Sequence, residues 1–115
     1  MPRVSVVTSV YNGELYLKEC IESILNQTFS DFEYIILNNG STDNTAKILK
    51  LYTDPRLRVI HQENLGISRS LNKGIDLSNS DLIAHLDADD YSMPQMLEKQ
   101  VSFMEKHPDI ILCGS

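Results

Sequence analysis

Apolar residues recur along the chain in two alternating rhythms. Five short runs, at 4–11, 32–38, 57–61, 82–87 and 110–113, are dense in Val, Ile, Leu, Phe and Tyr. Such residues fit a pleated, buried surface, so the runs predict strands. The segments between them, 14–27, 44–52, 67–77 and 94–106, carry apolar residues at helical spacing instead. The positions are Leu17, Cys20, Ile21, Ile24 and Leu25 in the first, and Ile48, Leu49 and Leu51 in the second. They are Ile67, Leu71, Ile75 and Leu77 in the third, and Met96, Leu97, Val101 and Met104 in the fourth. Each set makes one apolar stripe on a helix. Asn12 stands where a cap for the first helix belongs, and Ser41 or Thr42 where one for the second belongs. Ser92-Met93-Pro94-Gln95 gives the fourth a capping box with proline in its first turn. Asp54-Pro55 and His107-Pro108 mark stops.

Strand alternating with helix predicts an α/β fold: a Rossmann-like parallel sheet with right-handed crossovers and helices on both faces, as a single domain over residues 1–115. Sheets of this kind bind ligands outside the carboxyl ends of their strands. The distinctive polar segments all fall at that edge: Tyr11-Asn12-Gly13, Asn38-Asn39-Gly40-Ser41-Thr42-Asp43, Glu63-Asn64-Leu65-Gly66 and Asp87-Ala88-Asp89-Asp90. The loops of the opposite edge, 28–31 and 79–81, read as ordinary turns. This one-sidedness points to a ligand site at the carboxyl edge.

Composition narrows the ligand. A net charge of −6 with no basic stripe argues against a nucleic-acid partner. It also means that an anionic ligand needs local help, from a metal, backbone N–H groups or a helix N-terminus. No apolar run approaches the ~20 residues of a membrane helix. Met1-Pro2-Arg3-Val4 leads straight into a strand without the pattern of a signal peptide, which predicts the cytosol. Cys20 and Cys113 form no metal-spaced pair and read as reduced, buried thiols.

The acidic segment is the sharpest feature. Three carboxylates within four residues, Asp87, Asp89 and Asp90, come directly after a buried strand. Like charges so close repel unless a cation relieves them, and hard oxygen donors suit Mn²⁺ or Mg²⁺. A solvated acidic turn is the alternative. Tyr11 is either an aromatic packed on the first helix or a wall for a flat base, with Ser9 beside it. Asn38 and Asn39 are either turn formers or, through their amides, partners for a base edge. Arg69 and Lys73, four residues apart, share a face; it is a solvated basic face, or one of them reaches a diphosphate. His85 reads as a half-buried, hydrogen-bonded side chain.

Taken in order, these segments resemble the family 2 glycosyltransferases of the nucleotide-binding GT-A fold. Val4-Ser5-Val6-Val7 with Tyr11-Asn12-Gly13 is similar to that family's opening strand and loop. Ser23-Ile24-Leu25-Asn26-Gln27-Thr28 with Phe32-Glu33 is similar to its next signature, and Asn38 to Thr45 to its second loop. Asn64-Leu65-Gly66-Ile67 with Leu71-Asn72-Lys73-Gly74-Ile75 resembles the third. Leu86-Asp87-Ala88-Asp89-Asp90, with Met93-Pro94 after it, resembles the D-x-D segment.

The resemblance implies transfer of a sugar from a nucleotide-diphosphate sugar to a saccharide or lipid-linked acceptor, with inversion. It implies that Ser9 and Tyr11 border the base, Asn39 meets the base edge, Asp87 approaches the ribose, and Asp89 with Asp90 holds Mn²⁺ or Mg²⁺. Two positions depart from the pattern: Asn38-Asn39 stands for the usual Asp-Asp, and Ser9-Val10 for Pro-Thr. The family's catalytic base lies beyond the D-x-D segment, so it is expected beyond Ser115. The expectation is a donor-binding part of a longer enzyme, inactive by itself, with self-association through unpaired sheet edges. Such enzymes build surface polysaccharide at the cytoplasmic face of a membrane, which would make this chain a peripheral one. Two other functions compete: a nucleotide-sugar-binding module without transfer, and a Mg²⁺-dependent nucleotidyltransferase. The latter would need a basic, glycine-rich first loop, which Tyr11-Asn12-Gly13-Glu14 lacks. A dinucleotide oxidoreductase is disfavoured because the first strand does not lead into a G-x-G-x-x-G loop.

Overall fold

The computed structural model describes residues 3–63, 66–80, 82–86, 98–99, 102 and 112–113. Strand and helix alternate as the periodicity requires: β1 (Val4–Val10), α1 (Leu17–Leu25), β2 (Phe32–Asn39), α2 (Thr45–Leu49), β3 (Leu57–Gln62), α3 (Ile67–Leu77), β4 (Leu82–His85) and β5 (Leu112–Cys113). The strands form one parallel sheet in the order β3-β2-β1-β4-β5. The chain lays down β1, β2 and β3 outward in one direction, then crosses back to set β4 on the far side of β1. Because crossovers keep one hand, that reversal sends α3 to the opposite face from α1 and α2. Of the fourth expected helix, 94–106, the described residues Glu98, Lys99 and Ser102 are helical; the rest lies outside the described residues, as do Asp87, Asp89 and Asp90.

The sheet therefore has a core on each side. On one face α1 buries Leu17, Cys20, Ile21 and Ile24 against Val4, Val6, Val10, Tyr34, Ile36 and Leu82, with Leu49 of α2 alongside. On the other, Leu71, Ile75 and Leu77 of α3 pack on Val7, Ile35, Leu37 and Ile83. Alternate residues of β1 and β2 serve opposite faces, so these strands are buried on both sides and read as continuous apolar runs. Cys20 is a buried thiol outside any disulfide among the described residues, as its isolation in the sequence implies. No helix among the described residues is long and apolar enough to cross a membrane.

Gly74 lets α3 lie close to the sheet. A methyl group there would collide with the side chains of Val7 and Leu37. Alanine normally gains up to ~1 kcal/mol over glycine inside a helix. Here overpacking, at typically 1–3 kcal/mol, opposes that gain. Gly74→Ala is therefore expected to lower stability by about 1–2 kcal/mol in chemical denaturation, the reverse of the propensity ranking.

Several boundaries differ from the sequence expectation for local reasons. β1 ends at Val10, and Tyr11 leaves the sheet 52% exposed rather than packing on the first helix. α1 begins at Leu17 rather than residue 14, and Asn12 does not cap it. Asn12 sits at φ 52°, in the left-handed region that asparagine tolerates. The next residues turn, with the amides of Tyr16 and Leu17 both reaching the Gly13 carbonyl. α2 is one short piece, and neither Ser41 nor Thr42 caps it; Asp43 accepts the Thr45 amide at 2.9 Å instead. Beyond it the chain tightens into i→i+3 bonds, which leaves Leu51 73% exposed rather than on an apolar stripe. The amino-edge turn near Asn79 is not ordinary either. Glu33, 7% exposed, accepts the Ser5 hydroxyl at 2.6 Å and the Asn79 side-chain amide at 3.2 Å, with Arg58 at 3.8 Å. A buried carboxylate satisfied this way ties β1, β2 and β3 to the turn that leads into β4.

Candidate functional site

The carboxyl ends of β1 and β2 carry two loops that are laced together. Asn12 donates its backbone amide to Ser41 Oγ at 3.0 Å, and its Oδ1 accepts the Thr42 amide at 2.8 Å. The Gly13 amide reaches Thr45 Oγ1 at 3.0 Å, the Glu14 amide reaches Asp43 Oδ2 at 3.3 Å, and the Asn44 amide reaches Glu14 Oε2 at 3.2 Å. Partial burial would raise the Asp43 carboxyl, but the hydrogen bonds from Thr45 and the Glu14 backbone outweigh it and hold that carboxyl below its ordinary range. Ser41, Thr42 and Asp43 of the second loop thus brace the first loop, and Asp43 also holds the Thr45 amide at the start of α2.

The two asparagines ending β2 point to opposite faces, as strand periodicity demands. Asn38, 4% exposed, lies beside His61, its register partner on β3, with Nδ2 at 3.2 Å from His61 Nδ1. Its Oδ1 accepts the Ser41 amide at 3.3 Å. Asn39, 2% exposed, faces α3 and joins four elements. Its Oδ1 accepts from Ser70 Oγ at 2.6 Å and from Gln62 Nε2 at 2.5 Å, and its Nδ2 donates to Ser9 Oγ at 2.5 Å. Gln62 Nε2 also reaches Ser70 Oγ at 3.1 Å. The structure therefore brings Ser9 and Asn39, two of the candidate site residues, into direct contact.

Gln62 and Ser70 were invisible as site residues in the sequence. The available signal was small: Ser70 and Gly74, four apart, are the small residues on the buried side of an otherwise apolar stripe, and Gln62 alternates in step with Ile60. Gln62 Oε1 is buried with no hydrogen-bond partner among the described residues. Tyr11 presents its ring to solvent at the end of β1. Arg69 is exposed on the first turns of α3, and Lys73 lies half-buried one turn on.

The approach to the acidic segment is firmly held. Leu86 is fully buried; its amide donates to the Val7 carbonyl at 3.1 Å, and its own carbonyl accepts the Thr8 hydroxyl at 2.8 Å. Leu86 thus lies beside Val7 and Thr8 of β1, between the two strands where the order reverses and where open α/β sheets place their ligands. Among the described residues, no group of three or more His, Cys, Asp or Glu side chains is placed to hold a metal. The donor set that fits one is the run of hard carboxylate oxygens directly after Leu86.

Comparison with known proteins agrees with this geometry. The chain is 39% identical to the uncharacterized glycosyltransferase EpsJ of Bacillus subtilis over 99% of its own length and 34% of that protein. It is 39% identical to the glycosyltransferase GlyG of Streptococcus pneumoniae over 95% of its own length and 38% of that protein. The chain thus spans just over a third of the length of these relatives. Among solved structures, residues 1–349 of S. aureus TarS in complex with UDP-GlcNAc superpose with a TM-score of 0.84 at 27% identity, covering 92% of this chain and 32% of that one. The mannosyltransferase PcManGT of Pyrobaculum calidifontis, in complex with GDP-Man and Mn²⁺, shares the fold with a TM-score of 0.82 at 23% identity, covering 90% and 32%. The model of the family described as "Glycosyl transferase family 2" matches residues 5–115, so with nearly every position of the chain inside that match, the protein belongs to the family 2 glycosyltransferases.

Proposed function

We propose that this chain is the donor-binding part of a metal-dependent, inverting glycosyltransferase. The observation that carries the reading is the joint of Ser9, Asn39, Gln62 and Ser70 beside the end of β1, with β4, the strand that precedes the acidic segment in the sequence, next to β1 at the reversal in strand order. The UDP and UDP-GlcNAc complexes of TarS support a nucleotide-sugar donor. In this reading the base lies along Tyr11 with its edge toward Ser9 and Asn39. Asp87 approaches the ribose, and Arg69 reaches toward the diphosphate. Asp89 with Asp90 would hold Mn²⁺ or Mg²⁺, which when bound acts as a Lewis acid on the diphosphate and stabilises the charge of the leaving group.

During transfer an acceptor hydroxyl, on a saccharide or a lipid-linked sugar, attacks the anomeric carbon from the side opposite the diphosphate. The bond from that carbon to the phosphate oxygen breaks, and the nucleoside diphosphate departs. The hydroxyl proton passes to a carboxylate that the resemblance places after the D-x-D segment. What the described residues contribute is orientation: the braced loops hold the donor's base, so that its diphosphate falls over the acidic segment. An acidic chain cannot hold a dianion by general attraction, which makes a local cation the natural solution.

Calorimetric titration tests the reading. UDP, GDP, CDP and ADP are titrated into the purified protein with and without Mn²⁺. At least one is expected to bind at least ten-fold more tightly with the metal. Equal affinity in both arms for all four would remove the metal from the assignment, and no binding of any would remove the donor site.

A further inference from the structure

The core beneath the end of β1 holds a line of polar groups that the donor site does not touch. Tyr34 Oη lies 2.9 Å from Thr8 Oγ1 and 3.4 Å from Cys20 Sγ, and Thr8 Oγ1 lies 2.8 Å from the Leu86 carbonyl oxygen. Thr8, Tyr34, Cys20 and Leu86 are all fully buried. Chemistry fixes the direction of this line. A carbonyl oxygen only accepts, so the Thr8 hydroxyl donates to Leu86. Having used its one proton, Thr8 accepts from the Tyr34 hydroxyl, and Tyr34 in turn accepts from the Cys20 thiol. Burial, reinforced by Cys20, pushes the Tyr34 phenol well above its ordinary range, so it keeps the proton it donates.

Placing three polar side chains inside an apolar core is costly unless each is satisfied, and apolar residues would fill the same space. What the line acquires is a grip on one backbone group. Pairing of β1 with β4 ends at Val7 and His85, and Leu86 is the next residue. The Leu86 carbonyl belongs to the rigid planar unit that also contains the Asp87 nitrogen. Whatever orients that carbonyl orients the first bond of the acidic segment.

We propose that Thr8, backed by Tyr34, is a positioning residue for the acidic segment: its hydroxyl sets the peptide plane from which the metal-holding carboxylates depart. Thr8 touches neither donor nor metal and acts through Leu86. The proposal rests on the metal reading of Asp89 given above.

The test measures Mn²⁺ affinity of the purified protein by electron paramagnetic resonance of the free ion, with and without UDP, alongside UDP affinity without metal. Thr8→Val keeps the shape and removes the donor. It is expected to weaken Mn²⁺ binding about ten-fold, the usual effect of losing a group that orients a metal ligand. Thr8→Ser keeps the donor and is expected to stay within about two-fold of the parent, and UDP binding without metal to stay unchanged in both. Thr8→Val combined with Tyr34→Phe also removes the phenol that the single variant leaves unpaired, so the double variant is expected to be at least as stable as the single one and to show the same metal deficit. Thr8→Val binding Mn²⁺ like the parent, in a protein where Asp89→Ala loses it, overturns the positioning role alone. So does an equal loss in the metal-free arm, which would mark a general loosening of the fold. Asp89→Ala binding Mn²⁺ like the parent overturns the metal reading itself, and this proposal with it.

Discussion

Asp89→Ala is expected to abolish the metal-dependent part of nucleoside diphosphate binding. Three carboxylates within four residues repel one another unless a cation relieves them, and each offers that cation charge as well as an oxygen ligand. Losing a group that merely orients a ligand costs ten- to a hundred-fold in metal affinity, so losing a ligand should cost about a hundred-fold or more. The sign of the metal-free arm separates this from a structural effect. Without metal, Asp89 repels the diphosphate, and the chain's net charge of −6 adds to that repulsion. Asp89→Ala should therefore leave metal-free affinity unchanged or slightly raised while the gain from Mn²⁺ disappears. Asp89→Asn, which keeps an oxygen but not the charge, should fall between the two. Calorimetry in matched buffers reads all three. A parallel loss of affinity in both arms would assign Asp89 to the fold rather than to the metal.

How far this site could be read from residues alone depended on the range of the interactions. The sheet was legible because its signals are local. Val6, Ile36 and Ala84 lie in runs too apolar to be anything but buried strands, and Leu17, Cys20, Ile21 and Ile24 repeat at helical spacing. The carboxyl-edge location of the polar loops came from the same alternation. The hidden part was set by contacts distant in sequence. Asn12 looks like a helix cap because its neighbours in sequence are a turn and then a helix, whereas its side chain answers to Thr42 on another loop. Glu33 looks like a surface residue on a strand, yet it is the buried partner of Ser5 and Asn79. Ser70 and Gln62 carry no pattern of their own and matter only because parallel pairing sets β3 beside β2 and α3 over both. Thr8 and Tyr34 pass as ordinary strand residues until β4 arrives beside β1.

Asn39 should give the largest stability effect of any residue at the site, and the manner of its replacement should separate a joint from a reader of the base. Its amide is 2% exposed and satisfies Ser9, Gln62 and Ser70 together. Asn39→Ala strips three polar groups of a partner, Ser70 buried and Ser9 and Gln62 half-buried. Each such loss costs about 1–3 kcal/mol, and Gln62 and Ser70 retain their bond to each other, so about 3 kcal/mol in total is expected. In a chain of 115 residues that amounts to a fall in Tm of roughly 10–15 °C. Asn39→Asp behaves differently, because all three partners can donate to a carboxylate: Gln62 and Ser70 already do, and the Ser9 hydroxyl has only to rotate. Charge-assisted bonds offset much of the burial cost, so this variant should lose no more than about 1 kcal/mol at neutral pH. For a ligand the exchange is larger. Asparagine offers a donor on the Ser9 side, whereas aspartate offers only acceptors. Uracil presents a ring N–H at its pairing edge, and cytosine presents a bare ring nitrogen. Asn39→Asp should therefore raise the affinity for UDP relative to CDP about ten-fold or more, in line with the roughly 1–3 kcal/mol that a well-placed hydrogen-bond pair contributes to telling bases apart. Matched titrations of the two nucleotides against parent and variant decide it. If the ratio holds still while Asn39→Ala melts early, Asn39 binds the sheet to α3 and the base lies elsewhere along the carboxyl edge.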